Sequence, residues 1–155
     1  MVKVLFVCYG NICRSPLAEF LMKKYVRDKS NSDRFYIESA ATSCEEIGNP
    51  VYPPVKRILN GLNIDCSFKR ARKVVSGDYD KFDHIIGMDE MNVKSMVRFF
   101  GGDEKGKINR LLDFCDVENK DVADPWYTRD FESAKRDIER GLDGFYKYLE
   151  KNNEL

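Results

Sequence analysis

Residues 2–7 form an almost wholly apolar, β-rich run, the pattern of a strand buried on both faces. A seven-residue stretch, Cys8-Tyr9-Gly10-Asn11-Ile12-Cys13-Arg14, follows it. Ser15-Pro16 then reads as a helix start, with serine at the N-cap and proline at the first helical position. Leu17, Phe20, Leu21 and Tyr25 give that helix an apolar face, with Glu19 in its early turns. Residues 34–39 read as a second strand. Residues 54–59 read as a helix closed by Asn60-Gly61, and 83–88 as a third strand around His84-Ile85-Ile86. Residues 89–100 read as a helix closed by Gly101-Gly102, and 107–112 as a fourth strand. A long helix is predicted over 130–151. Phe131, Ala134, Ile138, Leu142, Phe145 and Leu149 recur there at three- and four-residue steps, Asp130 can cap the start, and Gly141 and Gly144 are weak points.

Strands alternating with helices predict an α/β fold around a parallel sheet, in which ligands bind beyond the carboxyl ends of the strands. Cys8 lies at such an end. The 155 residues suit one domain spanning 1–155, without repeats or linkers. Lys plus Arg equals Asp plus Glu, at 26 each, so no broad attraction to nucleic acid or to a membrane surface is expected. An anion site must therefore be built locally. The first residues lack the features of a signal peptide, and no apolar stretch approaches the ~18 residues of a membrane span. A soluble, cytoplasmic protein with its five cysteines as free thiols is expected.

A cysteine followed six residues later by an arginine occurs twice, at Cys8/Arg14 and at Cys66/Arg72. Only the first follows a buried strand, contains a glycine to let the backbone curl, and precedes a helix start. A short loop curled before a helix points successive N–H groups inward as an anion nest, and the helix N-terminus adds unpaired donors and partial positive charge. Arg14 adds a planar fork that grips two phosphate oxygens. The loop lacks the Gly-Lys-Ser/Thr of a nucleotide-binding loop, which disfavours ATP hydrolysis. The same field favours a thiolate on Cys8, assisted by the Ser15 hydroxyl if the loop curls. A thiolate can attack phosphorus in line and form a cysteinyl-phosphate that water hydrolyses, with no metal or cofactor required.

The leaving oxygen needs a proton. The single histidine, His84, sits within a predicted strand and is poorly placed. Asp124, in the rigid aromatic turn Asp124-Pro125-Trp126-Tyr127, is better suited: its aromatic neighbours can favour a protonated carboxyl and stack on an aryl substrate. Cys44, Cys66 and Cys115 carry no catalytic signal, and the charged run Lys69 to Lys73 reads as a solvated face.

The segment from Val7 to Pro16 resembles the active-site loop of the low-molecular-weight protein tyrosine phosphatases. Ser39-Ala40-Ala41-Thr42-Ser43, Ile47-Gly48-Asn49-Pro50, Met88-Asp89-Glu90-Met91-Asn92 and Asp124-Pro125-Trp126-Tyr127 are similar to further segments of that family, in the same order. The resemblance implies a four-stranded parallel sheet flanked by helices, with the phosphate-binding loop between the first strand and first helix. It implies Cys8 as nucleophile, Arg14 as transition-state clamp, and Asp124 as proton donor and later base. Asn11, Ser15 and Ser39 match positions that hold the loop in shape. Cys13 matches a second cysteine that can form a reversible disulfide with the nucleophile. Tyr9, Gly10, Asn11, Ile12, Cys13, Ser15, Glu45, Trp126 and Tyr127 would line the substrate site. The implied partners are phosphotyrosine-containing proteins or peptides, with inorganic phosphate as product.

Three positions depart from the common pattern of the resemblance: Glu45 replaces a rim aromatic, Trp126 a tyrosine, and Lys69 a histidine near the loop. They bear on substrate preference. An arsenate reductase on the same fold would need relay cysteines after the third strand, and residues 83–100 contain none. A silent phosphotyrosine-binding module would not need all three catalytic residues.

Overall fold

The computed structural model describes residues 1–155. Four parallel strands form one sheet in the order β2-β1-β3-β4: β1 (Val2–Cys8), β2 (Phe35–Ala41), β3 (His84–Gly87) and β4 (Ile108–Arg110). The helices are α1 (Arg14–Asp28), α2 (Pro53–Gly61), α3 (Asp78–Lys81), α4 (Glu90–Phe100), α5 (Pro125–Thr128) and α6 (Phe131–Lys151).

β1 is central and explains its own composition. Val2, Val4, Phe6 and Cys8 face the core built with α1 and α6, while Leu5 and Val7 face the smaller core containing Phe82, Ile85, Met96 and Ile108. A side-chain period of two means that a strand covered on both faces must be apolar at every step except where it frays. Register follows from the pairing of Val2 with Phe35 through Cys8 with Ala41, and of Val7 with Gly87. The carboxyl ends of β1, β2 and β3 therefore finish together, and Cys8 stands at that shared edge.

Several elements depart from the sequence reading. Ser15 is not an N-cap. α1 already starts at Arg14, behind Cys13, and no side chain caps it. The Ser15 hydroxyl is instead buried against the Cys8 sulfur. The first half of α1 is enclosed on all sides rather than on one face, with Arg14 to Met22 all buried. The fourth strand keeps only Ile108–Arg110, because Leu111–Phe114 tightens into a 3-10 turn that packs under α6. Gly141 and Gly144 are not merely weak points of α6. A Cβ at Gly141 would overlap the Leu111 side chain, and one at Gly144 would lie 2.6 Å from the Phe114 carbonyl oxygen. The glycines let the helix approach that turn closely.

Caps fix two further ends. Asp130 accepts from the Ser133 amide at the start of α6, as its position predicts. Asp89 accepts from the Asn92 amide while Asn92 reaches back to the Asp89 amide, a reciprocal capping box at the start of α4. No helix is long and apolar enough to cross a membrane.

Candidate active site

The loop from Tyr9 to Cys13 turns the chain from the end of β1 into α1. Its left-handed residue is Asn11, at φ 60°, and not Gly10. A non-glycine residue adopts that conformation when its side chain is held, and Asn11 is held on both sides. Its amide nitrogen donates to Ser15 Oγ at 2.8 Å and to Ser39 Oγ at 2.9 Å, while its oxygen accepts from the Arg72 amide at 3.1 Å. Gly10 answers a different need: a Cβ there would meet Glu46 Cγ at 3.3 Å.

This curl aims donors at one atom. The Asn11 and Ser15 amides lie 3.3 and 3.4 Å from Cys8 Sγ, and Ser15 Oγ lies 3.0 Å from it. The sulfur is 3% exposed at residue level, at the bottom of a cleft. Arg14 is equally buried. Its Nη1 donates to Asp89 Oδ2 at 2.7 Å and to the Val122 carbonyl at 2.8 Å, and its Nη2 stands 3.5 Å from Asp124 Oδ2. Burial opposes the guanidinium charge, but the Cys8 sulfur and the hydrogen-bonded Asp89 carboxylate outweigh it and raise Arg14 above its already high value. Arg14 is thus a permanently charged fork with a fixed orientation.

Asp124 caps α5, accepting from the Trp126 amide through Oδ1 at 3.0 Å. That leaves Oδ2 directed toward Arg14 and the cleft. Trp126 is held by Tyr52, with ring centroids 4.9 Å apart, and Tyr127 is 81% exposed. The Tyr9 hydroxyl donates to Glu45 Oε1 at 2.8 Å across the rim. One pocket is lined by Cys8, Tyr9, Gly10, Ile12, Cys13, Arg14, Glu45, Glu46, Asp124, Trp126 and Tyr127. Asn11, Ser15 and Ser39 lie behind the loop rather than on its open side.

Sequence reasoning missed four participants. Asp89 and the Val122 carbonyl orient Arg14, Glu46 walls the pocket, and Glu19 lies buried behind Ser39. In the sequence Asp89 shows as a helix start and as part of a segment similar to the family, with no role toward Arg14. The charged run 69–73 is also not simply a solvated face. The Lys69 side chain is 12% exposed and donates to the Ser39 carbonyl at 2.9 Å, and Arg72 pairs with Asp78. Cys66 is buried in the core away from the pocket. His84 opens β3 with Nε2 2.7 Å from Glu154 Oε1, outside the site. No group of three His, Cys, Asp or Glu side chains is arranged to hold a metal ion.

Burial, and then the adjacent Cys8, push the Cys13 thiol up to about 12. An unfolded chain releases that proton near about pH 8.5, whereas the folded chain keeps it. The stability contributed by this group is therefore complete below the unfolded value and is lost as pH rises through the folded one. Cys13→Ala is expected to flatten the decline of folding stability between roughly pH 9 and pH 11. Urea melts at several pH values check this, and an unchanged slope would refute it.

Fold and site together define an α/β protein with a curled loop of inward-facing amides at the carboxyl end of its central strand, a cysteine at its base and an arginine at its wall. The model of one family, low molecular weight phosphotyrosine protein phosphatase, matches residues 3–155, and the chain belongs to that family. It is 36% identical over 155 residues to the low molecular weight protein-tyrosine-phosphatase PtpA of Staphylococcus aureus, covering 100% of this chain and 98% of that one. It is equally identical to YfkJ of Bacillus subtilis, a protein of the same description, over the full length of both. The crystal structure of YfkJ superposes with a TM-score of 0.94 at 37% identity, covering 98% of this chain and 96% of that one. A Drosophila arginine phosphatase is also similar in structure, with a TM-score of 0.87 at 25% identity, covering 96% of this chain and 98% of that one.

Proposed function

We propose that this protein hydrolyses phosphotyrosine in proteins or peptides through a cysteinyl-phosphate intermediate, in the cytoplasm and without a metal or cofactor. The observation that carries this reading is the meeting of Cys8 Sγ, the loop amides, the Arg14 fork and the Asp124 carboxyl in one aromatic-walled pocket. In the first step Cys8 Sγ attacks phosphorus, the bond from phosphorus to the phenolic oxygen breaks, and Asp124 gives its proton to that oxygen. Arg14 and the loop amides carry the charge on the equatorial oxygens. In the second step water attacks phosphorus, its proton passes to Asp124, the S–P bond breaks, and phosphate leaves with the thiolate restored.

Phosphoarginine is the competing substrate, suggested by the name of the Drosophila neighbour and by the rim carboxylates Glu45 and Glu46. Both carboxylates already accept bonds, from Tyr9 and Asn49 respectively, while Ile12, Trp126, Tyr127 and Tyr9 offer faces suited to a phenyl ring. The greater length of phosphotyrosine favours it over phosphoserine at a sulfur buried at the base of this pocket. Cys13 would guard the site: peroxide oxidises Cys8 to a sulfenic acid, the Cys13 sulfur attacks it, water leaves, and a disulfide forms. Matched peptides carrying phosphotyrosine or phosphoarginine, assayed with a chelator present, test the substrate. A kcat/KM for phosphotyrosine about tenfold or more above that for phosphoarginine is expected. The reverse order would overturn the assignment.

A further inference from the structure

The turn that carries Asp124 is weakly anchored by burial. In α5 only Pro125 is buried; Trp126, Tyr127 and Thr128 are exposed, as is Arg129 beyond them. Asp124 moves with that turn. Its Oδ1 accepts from the Trp126 amide and its carbonyl from the Tyr127 and Thr128 amides, all within the turn. Its one side-chain hydrogen bond to another element reaches Arg14, at 3.5 Å. The place of this carboxyl over the cleft therefore depends on what holds the turn from outside.

Three side chains of this segment close on one ring, that of Tyr52. Trp126 lies against it with centroids 4.9 Å apart, and Phe131 stacks on it at 6.1 Å. Between them in sequence, Arg129 donates from Nη1 to the Tyr52 hydroxyl at 3.2 Å. Its guanidinium carbon stands 5.7 Å from the centre of the Tyr52 ring and 5.8 Å from that of Phe131. Arg129 ends α5 in the left-handed region, at φ 60°. Glycine takes that conformation freely, whereas an arginine is strained in it. The strained residue is the one whose side chain is held against two aromatic rings. Tyr52 is itself fixed to the loop at the base of the pocket. Its amide donates to the Ile12 carbonyl at 2.9 Å, and its carbonyl accepts from the Lys56 amide at 3.0 Å to open α2, whose Val55 and Leu59 are fully buried. One ring thus joins the loop around Cys8 to the turn that carries Asp124.

We infer that Tyr52 and Arg129 are positioning residues that clamp the Asp124 turn onto this loop and so set the reach of the carboxyl to the leaving oxygen. Proton transfer demands hydrogen-bond distance, and a misplacement of about 1 Å can cost roughly 10²-fold in rate. Neither residue lines the pocket in which Cys8, Arg14 and Asp124 meet. Loosening the clamp therefore leaves attack on phosphorus in place and weakens the step that Asp124 assists. Arg129 also sets a positive charge near the pocket, where it acts on the Cys13 thiol. That field bears alike on any phosphate dianion and does not discriminate between leaving groups. The inference rests on Asp124 as the general acid of the proposed function.

The test is kcat/KM for phenyl phosphate and for nitrophenyl phosphate, which differ chiefly in the basicity of the leaving oxygen. Arg129→Gly and Tyr52→Ala are compared with the unmodified protein, each alone and each combined with Asp124→Asn. The ratio of the two constants, phenyl over nitrophenyl, is expected to fall about tenfold in each single variant. It is expected to fall no further in either variant once Asp124 is asparagine. A general loss of binding or of folded protein lowers both constants and leaves the ratio unmoved. An unchanged ratio in either variant that folds, or a further fall in the Asp124→Asn background, would overturn the inference. Arg129→Gly relieves the left-handed strain and so keeps the backbone, and it decides the matter if Tyr52→Ala does not fold. Tyr52→Ala leaves every charge in place and separates the clamp from the field of Arg129. Asp124→Asn alone tests the reading beneath. If it lowers the ratio and the clamp variants do not, the clamp falls and the acid stands; if it leaves the ratio unchanged, the acid falls and the clamp with it.

Discussion

Cys8→Ser is expected to lower turnover of an aryl phosphate by about 10⁴-fold or more, as removal of a nucleophile does elsewhere, while phosphate still binds. A serine hydroxyl in the same cradle has the donors but not the reactivity. The two amides and Ser15 that surround the sulfur stabilise an anion, and an alkoxide is far less accessible than a thiolate near neutral pH. The binding elements remain untouched. Arg14 is oriented by Asp89 and Val122, not by Cys8, and the Asn11 curl is held by Ser39, Ser15 and Arg72. Removing the proposed thiolate nucleophile also removes repulsion against a dianion. Phosphate affinity, read by calorimetry, is therefore expected to hold or to tighten. Initial rates that stay within a few-fold of the unmodified protein would remove Cys8 from the chemistry.

The parts of this arrangement that were legible in the sequence are local ones. A strand, a seven-residue loop and a helix are contiguous, so their periodicities and the Cys8-to-Arg14 spacing lie within one window. The long amphipathic helix α6 was equally plain. The supports were harder to see because they come from distant segments. Asp89 lies 75 residues from Arg14, and Lys69 lies 30 from Ser39. In a linear reading Asp89 opens a helix; in the structure it caps that helix, with one oxygen on the Asn92 amide and the other on Arg14. The Ser15 error has a physical source too. Serine before proline suits an N-cap, but a buried sulfur 3.0 Å away competes for the same hydroxyl. Composition cannot reveal which acceptor wins. Lys69 misled for a similar reason, since a lysine among basic neighbours reads as solvated until its buried carboxylate partner is found.

Asp124→Asn is expected to lower kcat/KM, which reports formation of the intermediate, by about 10²- to 10³-fold for phosphotyrosine, within the usual range for a general acid, and much less for a nitrophenyl ester. The substitution preserves the frame: the asparagine oxygen can still accept from the Trp126 amide and so keep the start of α5. What disappears is a transferable proton beside the leaving oxygen. A tyrosine phenolate, with a conjugate-acid pKa of about 10, departs poorly without that proton. A nitrophenolate is stabilised by its own substituent and needs it little. The two steps then respond differently. With the activated ester, formation of cysteinyl-phosphate stays fast while its hydrolysis, which needs Asp124 to take a proton from water, slows. The intermediate should therefore accumulate on Cys8 in this variant, as a burst of nitrophenolate matched to the enzyme concentration. Equal losses for both esters, with no burst, would mean that the Asp124 carboxyl only supports α5 and Arg14, and that the proton reaches the leaving group by another route.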